Sequence, residues 1–526
     1  MKVEVERKAN SHTREFARLA GIWSTSEKEK RRGIPLLRTD ALRGGATPPS
    51  LEPPWRFGKG GRVAGRTVAT ATRAALGIAL VAWAPVAGAT LSLQTLYEFQ
   101  SNPKNPRAEL VRGSDGNFYG TTTFGGTNGE NGTVFQLTPA RVLTVLHSFA
   151  GPDGALPAAG LTQGVDEFWY GSAQAGGTNG DAGTLFRLDA AGNFDVLHSF
   201  GGPDGRFPQA TLVRGRDGSF YGTTVYGGTN GDNGTLFRWG SQNGFASLFS
   251  FDGTNGSHPT GRLLQAADGN FYGTTSEGGV DYNGAASPGN GTIFRMSPDG
   301  QVTRLFSFSG PDGSGPAAGL VEGGDGGLYG TTQFGGTNGD NGTVFKTTAA
   351  GELTMLYSFK GGDGNYPVAD LTLAGDGTFL GSTSGDRAFG GTNTFGTLFR
   401  ITPAGLLSTL VAFNGTNGGC PLARLTAGDD GNYYGTAFQG GAGEGGTLFR
   451  LVEPPVITGI APANGTVTVS WTSFTNGNYR LEFQTDLSAL DWTALMPDVV
   501  ASGGRTSMDD PLPDGARRFY RVRLLP

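Results

Sequence analysis

The stretch RGRDGSFYGTTVYGGTNGDNGTLFRW at residues 214–239, followed by SLFSF at 247–251, is written in variant form seven times between Leu91 and Val452. A pair of large residues before a Gly marks each copy: Phe118-Tyr119, Trp169-Tyr170, Phe220-Tyr221, Phe271-Tyr272, Leu328-Tyr329, Phe379-Leu380 and Tyr433-Tyr434. The second members stand 51, 51, 51, 57, 51 and 54 residues apart. A repeat of this length, holding four short apolar stretches between Gly, Asp, Asn and Pro, predicts a β-propeller blade rather than a unit of a helical solenoid.

In the first unit the four strands are predicted in AELVRG (108–113), NFYGTTT (117–123), GTVFQLT (132–138) and LTVLHSF (143–149). Neighbouring apolar residues in the second and third break the alternation of a half-buried strand, which is expected where both faces of a sheet are covered. Gly120 and its counterparts are expected to permit close backbone approach. The fourth-strand pattern recurs at 96–99, 146–149, 197–200, 248–251, 305–308, 356–359 and 410–413, so one copy precedes every other strand, while the last third strand, 446–451, has none after it. The fold class read from this offset is all-β, a seven-bladed β-propeller over residues 90–453 in which residues 91–99 close the ring as the outer strand of the last blade.

Composition supports an ordered chain. There are 92 Gly and 28 Pro among 526 residues, but they return at fixed offsets beside aromatic and aliphatic residues. The net charge of −5 divides unevenly, with 16 Lys/Arg and 7 Asp/Glu in residues 1–73 and 24 against 38 in the remainder. An acidic body without a basic stripe excludes nucleic acid and anionic membrane as expected partners. Cys420 is the only cysteine, so no disulfide forms within the chain, and it is expected to be a half-buried filler.

The apolar run AALGIALVAWAPVAGA (74–89) follows Arg62, Arg66 and Arg73 and ends on small residues, the pattern of a secretory signal over 61–89 with cleavage before Thr90. Residues 1–60 read either as a disordered extension or as sequence upstream of the true start. A secreted or cell-surface protein, not inserted in the membrane after cleavage, is the expectation. After Pro455 the glycine repeat stops, and the strand-like TVTVSW, NYRLEFQT, WTAL and RFYRVRL predict a small β-sandwich over 456–526 with Trp471, Tyr479, Trp492 and Tyr520 in its core.

The segments DGNFYGTT, GGTNGDNGT and LHSF at fixed period resemble the GloVer tandem repeat of bacterial extracytoplasmic proteins. That resemblance implies a secreted or surface protein and lends no defined activity. The C-terminal segment resembles the fibronectin-III-like modules appended to bacterial secreted proteins.

Chemistry is expected on the face that gathers the loops between second and third strands and those leading to the next unit. The recurring Asp115, Asp166, Asp217, Asp268, Asp325, Asp376 and Asp430 read as turn residues, each positioned to bond its own backbone. Glu130, Asp181, Asp232, Asp281, Asp340 and Glu444, with Asp153, Asp204, Asp252, Asp312 and Asp363, supply the oxygen atoms that calcium requires, although no EF-hand or GGxGxD loop is present and the same residues are ordinary turn formers. Of these, Glu130, Asp181, Asp232 and Asp340 are the candidate calcium ligands. Two insertions break the repeat and bring Asp281, Tyr282 and Asn283 in the fourth unit and Asp386, Arg387 and Phe389 in the sixth, a set suited to carbohydrate or peptide. No HExxH, GxSxG or phosphate loop occurs, and His147 and His198 occupy a slot filled elsewhere by Tyr or Phe, so no catalytic residue is assigned. The leading expectation is a non-enzymatic secreted binding scaffold for extracellular polysaccharide or protein. The alternatives are a polysaccharide hydrolase or lyase using acidic residues of that face, and a self-associating surface protein.

Overall fold

The computed structural model describes residues 91–526 apart from 285, 390–393, 453–454, 464, 474–476, 487–490, 512–516 and 526. The extension and signal segment therefore lie outside the described residues. The described chain is all-β: it contains no α-helix, and its one helical turn is a 3-10 turn at Asp386–Phe389.

Residues 91–452 form seven four-stranded antiparallel sheets. In the first, Val111–Arg112, Phe118–Thr122, Thr133–Leu137 and Leu143–Ser148 lie side by side in chain order, and the next five repeat this arrangement. The seventh is assembled differently: Ser92–Glu98, at the start of the described chain, pairs antiparallel with Thr447–Val452 and supplies the fourth strand. First strands are two residues long because the Asp turn follows immediately, whereas second strands are buried along their whole length.

The large-residue pair has a geometric explanation. Side chains alternate across a strand, so the two members of each pair face opposite sides of their sheet. Tyr119 packs on Trp169 of the next unit at 4.5 Å between ring centroids, Tyr170 on Phe220 at 4.0 Å, Tyr221 on Phe271 at 4.3 Å and Tyr329 on Phe379 at 4.2 Å. Tyr434 of the seventh sheet packs in the same way on Phe118 of the first, at 4.3 Å. Each interface adds a buried leucine from just before the first strand and a phenylalanine from the third, such as Leu161 and Phe186. Full burial of one such side chain is worth about 1.5–3 kcal/mol.

Gly120 departs from its expected role. The space where its Cβ would stand is taken by the Phe135 ring of the third strand, 2.7 Å away, and by Leu110, not by another backbone. The glycine is a seat for an aromatic ring, and Gly171, Gly222, Gly273, Gly330, Gly381 and Gly435 repeat it.

The C-terminal segment forms two three-stranded antiparallel sheets. Ile457–Ala463, Thr466–Thr472 and Arg505–Pro511 make one, and Thr493–Val500, Asn478–Gln484 and Phe519–Leu524 make the other. Trp471 and Tyr479 are buried in its core with Val467, Val469 and Leu481. Tyr520 is only half-buried and donates to Asp510 at 2.6 Å, and Trp492 lies under the Arg521 guanidinium.

Candidate functional site

The recurring Asp turns are structural. Asp115 Oδ1 accepts from the Asn117 backbone N–H at 3.0 Å, while Oδ2 accepts from the Tyr119 hydroxyl at 2.7 Å. The tyrosine bond recurs at Asp166, Asp217, Asp268, Asp325 and Asp430. Burial, and then the carboxylate beside it, push the Tyr272 hydroxyl up to about 12. In the sixth unit Leu380 replaces the tyrosine, and Asp376 accepts from Thr378 instead.

The candidate calcium ligands are engaged by amides of their own loops or by a cationic side chain of a neighbouring loop. Asp181 Oδ1 accepts from the Gly176 N–H and Asp340 Oδ1 from Gly335, each at 2.5 Å. Asp232 accepts from Gly227 at 2.6 Å and is paired with Arg206, and Glu130 is paired with Lys104 at 3.0 Å. Glu444 and Asp281, in the corresponding loops of other units, are exposed. Among the described residues no three His, Cys, Asp or Glu side chains stand together as a metal would require. The connecting-loop acids behave alike: Asp153 and Asp204 bond His147 at 2.9 Å and His198 at 2.7 Å, while Asp363 takes the Tyr357 hydroxyl. Each histidine also stacks on a phenylalanine of the following unit, His147 on Phe194 and His198 on Phe245, so packing explains their slot.

The insertions of the fourth and sixth units are placed on sheets separated by the fifth. Tyr282 is half-buried: its ring covers Gly253 and its hydroxyl donates to Asn233 Oδ1 at 2.9 Å. It fastens the insertion to the third unit, leaving Asp281 and Asn283 exposed. In the sixth unit Asp386 Oδ1 accepts from the Thr394 N–H at 2.6 Å, and the Arg387 guanidinium lies 4.2 Å over the Phe395 ring. Phe389 closes the same 3-10 turn. Cys420 is fully buried rather than half-buried, with its thiol pushed up to about 12 by burial.

A second cluster escaped the repeat pattern. The position before the first-strand leucine reads Glu109, Gly160, Thr211, Arg262, Gly319, Asp370 and Arg424 through the seven units. Four of these meet although they come from the first, fourth, sixth and seventh sheets. Arg424 Nε lies 2.8 Å from Glu109 Oε2, close but not aligned as a hydrogen bond. Arg262 reaches Glu109 at 3.5 Å and Asp370 at 3.8 Å, and Asp370 Oδ1 accepts from the Gly319 N–H at 2.6 Å. The glycines make room: a Cβ at Gly160 would stand 2.7 Å from Glu109 Cγ, and one at Gly319 would stand 2.8 Å from Arg262 Cγ. Burial pushes the Asp370 carboxyl up, and Arg262 opposes it. The signal in the sequence was variability itself, at a position followed by a recurring leucine and standing three residues after a recurring proline.

The model of the Gloeobacter/Verrucomicrobia repeat matches residues 84–287, 202–390 and 285–485. No curated protein matches the chain. Among solved structures, a gluconolactonase from Xanthomonas campestris is similar at 14% identity and TM-score 0.36, covering 69% of this chain and 89% of its own. A protein of unknown function from Dyadobacter fermentans is similar at 10% identity and TM-score 0.39, with 69% and 98% covered. An exo-beta-1,3-galactanase from Phanerochaete chrysosporium is similar at 10% identity and TM-score 0.32, with 69% and 93% covered.

Proposed function

This chain belongs to the Gloeobacter/Verrucomicrobia repeat family, and on that footing we propose that it is a secreted, non-catalytic binding scaffold for extracellular polysaccharide or protein. Its seven sheets are read as the blades of a closed β-propeller. Pairing of Ser92–Glu98 with Thr447–Val452 and packing of Tyr434 on Phe118 support that closure. The C-terminal sandwich is read as a fibronectin-III-like module, a reading supported by its strand order, with first, second and fifth strands in one sheet and third, fourth and sixth in the other.

The observation that carries the binding reading is the fourth-unit insertion. Tyr282 fixes it to Gly253 and Asn233, so exposed Asp281 and Asn283 are held on a preset protrusion. A ligand then meets polar groups whose ordering has already been accomplished by folding. Arg387, Asp386 and Phe389 extend the proposed contact surface to the sixth unit. Secretion follows from the 61–89 signal pattern, and the sugar or peptide chemistry from the amide and carboxylate pair.

The test is retention of residues 90–526 on immobilised polysaccharides and a glycan array, comparing wild type with Asp281→Ala/Asn283→Ala. Retention with intact ligand, weakened at least tenfold in the double variant, is expected. Equal retention of the variant removes the insertion from the reading. A second reading, hydrolysis or lysis of an extracellular polymer, is favoured by Asp370, whose raised carboxyl stands close to Arg262 and shares it with Glu109. Release of shortened product by wild type, abolished in Asp370→Asn, would select it.

A further inference from the structure

One slot on the outer strands varies from unit to unit, always opposite the third-strand phenylalanine. In the fourth unit it holds Arg304, opposite Phe294, whose Nη1 donates to Thr254 O in the connecting loop of the third unit. In the sixth it holds Thr409, opposite Phe399, whose Oγ1 donates to Asp363 O in the connecting loop of the fifth unit at 3.2 Å. These side chains bridge the gap between an outer strand and the loop of the unit before it. The first, second, fifth and seventh units place Val145, Val196, Met355 and Thr95 in the slot. The third places Ser247, the smallest side chain of the series, opposite Phe237.

At Ser247 the gap stays open as a groove of about 520 Å³, a volume suited to a small ligand. Pro203 and Asp204 border it from the connecting loop of the second unit, and Asn230, Leu248 and Phe249 from the third. Pro203, Asn230 and Ser247 are exposed, and Phe249 is half-buried. Its polar groups are set by folding. Asn230 Nδ2 donates to Ser250 O at 3.0 Å, and Asn230 O accepts from Asn233 Nδ2 at 2.8 Å. Asp204 Oδ1 accepts from the Gly201 N–H at 2.8 Å, and Oδ2 is bonded to His198 Nε2 at 2.7 Å. These bonds leave further lone pairs on the Asp204 carboxylate and on Asn230 Oδ1, and the Ser247 hydroxyl both donates and accepts.

We propose that this groove is a binding site for a neutral saccharide, with the C–H face of a sugar ring on Pro203 and Phe249 and its hydroxyls on Asn230, Asp204 and Ser247. An aromatic and a proline surface beside fixed acceptors match a ligand that is apolar on its ring face and a donor at its rim. None of the described residues bordering the groove is a lysine or arginine, and Asp204 already has His198 beside it, so the charge balance favours an uncharged ligand. A peptide strand added to the free edge of the outer strand is disfavoured, because Asn230 takes Ser250 O and the Thr229 N–H takes Ser250 Oγ at 3.2 Å, capping that edge. The site does not include Asp281 or Asn283 and does not rest on their role.

The experiment is saturation-transfer NMR with calorimetric titration of the purified full chain against cellobiose, laminaribiose, maltose and lactose, with galacturonate as the acidic and tetra-alanine as the peptide comparison. Saturable binding of at least one neutral disaccharide, tighter than either comparison, is expected. Ser247→Arg, which copies the fourth unit and fills the groove, should weaken it at least tenfold, and Ser247→Thr, which copies the sixth, at least twofold. Val196→Arg in the slot of the second unit and Asp281→Ala/Asn283→Ala should leave it unchanged, so loss of the insertion's role and loss of this site are read separately. Absence of disaccharide binding by wild type, or undiminished binding by folded Ser247→Arg, overturns the proposal; tighter binding of galacturonate or tetra-alanine overturns it in favour of an acid or peptide site. If Ser247→Arg fails to fold, undiminished binding by Ser247→Thr overturns it in the same way.

Discussion

The residue before each inter-unit proline carries an unexpected burden. Asn105, Leu156, Phe207, His258, Tyr366 and Cys420 all adopt positive φ between 53° and 61°, a conformation unfavourable for large side chains. The return is a shared hydrogen-bond frame. Leu156 N–H donates to Asn131 O at 2.8 Å in the preceding unit, and Leu156 O accepts from Gln174 N–H at 3.3 Å. The following Pro157 then lies against Gly132, where an added Cβ would stand 2.5 Å from both Pro157 Cδ and Thr122 O, at φ +91°. Gly132→Ala is therefore expected to lower stability by at least about 1 kcal/mol, while Gly324→Ala, with open space around it, is near neutral; urea denaturation of the two compares them directly. A second prediction concerns acid. The Lys346 ammonium and the Tyr329 hydroxyl hold the Asp325 carboxyl at about 2. Its folded pKa lies below the unfolded value of about 3.9, so its contribution is complete above about pH 5 and lost as pH falls toward 2. Asp325→Asn should flatten part of the decline in Tm between pH 4 and 2, and an unchanged acid slope would remove Asp325 from the account.

At the scale of the element, the closing strand separates what was legible from what was not. The offset of one fourth-strand copy ahead of all others pointed to Ser92–Glu98 as the partner of Thr447–Val452, because an unmatched strand at each end of a repeat array has one economical solution. The pairing Leu93↔Leu451 and Glu98↔Thr447 has that register. The aromatic pairs and Asp turns were readable for the same reason: residues that serve contacts between identical sheets must recur. The Glu109–Arg262–Asp370–Arg424 cluster was not readable by that logic, since side chains meeting across different sheets are freed from the repeat. The anchoring of Tyr282, placed from sequence in a ligand-contact set, was not readable either, because nothing in an insertion's own sequence reveals that Gly253 of another loop lies beneath its ring. Removal of residues 90–100 should strip the seventh sheet of its fourth strand and remove Phe99, which packs edge-on against Phe135 at 5.6 Å. Loss of a buried phenylalanine alone costs about 3–5 kcal/mol, so the truncated protein should melt well below wild type. A Tm unchanged by the truncation would refute a supporting role for this strand.

For the whole molecule, the distinction that matters is between an open array and the proposed ring. In an open array each repeat is stabilised by its own contacts and its neighbours, and the terminal repeats, with one neighbour each, open first. Here the first sheet packs on the second through Tyr119 and Trp169, and on the seventh through Phe118 and Tyr434. The seam between seventh and first is built like the others: Thr436 Oγ1 donates to Ala108 O at 3.0 Å, as Thr121 Oγ1 does to Ala159 O at 3.1 Å. It is further tied by Arg112 to Asp429 at 2.5 Å. On the closed-ring reading every sheet is held on both faces and none is terminal. Native-state hydrogen exchange should therefore give the second strands Phe118–Thr122, Phe271–Thr275 and Tyr433–Ala437 similar protection in the intact chain. Deletion of residues 90–100 should make the first and seventh of these exchange fastest while the fourth keeps most of its protection. The sandwich around Trp471 provides an internal reference, since its core is largely its own and its amides should follow a separate opening free energy. If protection in the intact chain already falls from the fourth sheet toward both ends, the sheets form an open array and the closure reading fails.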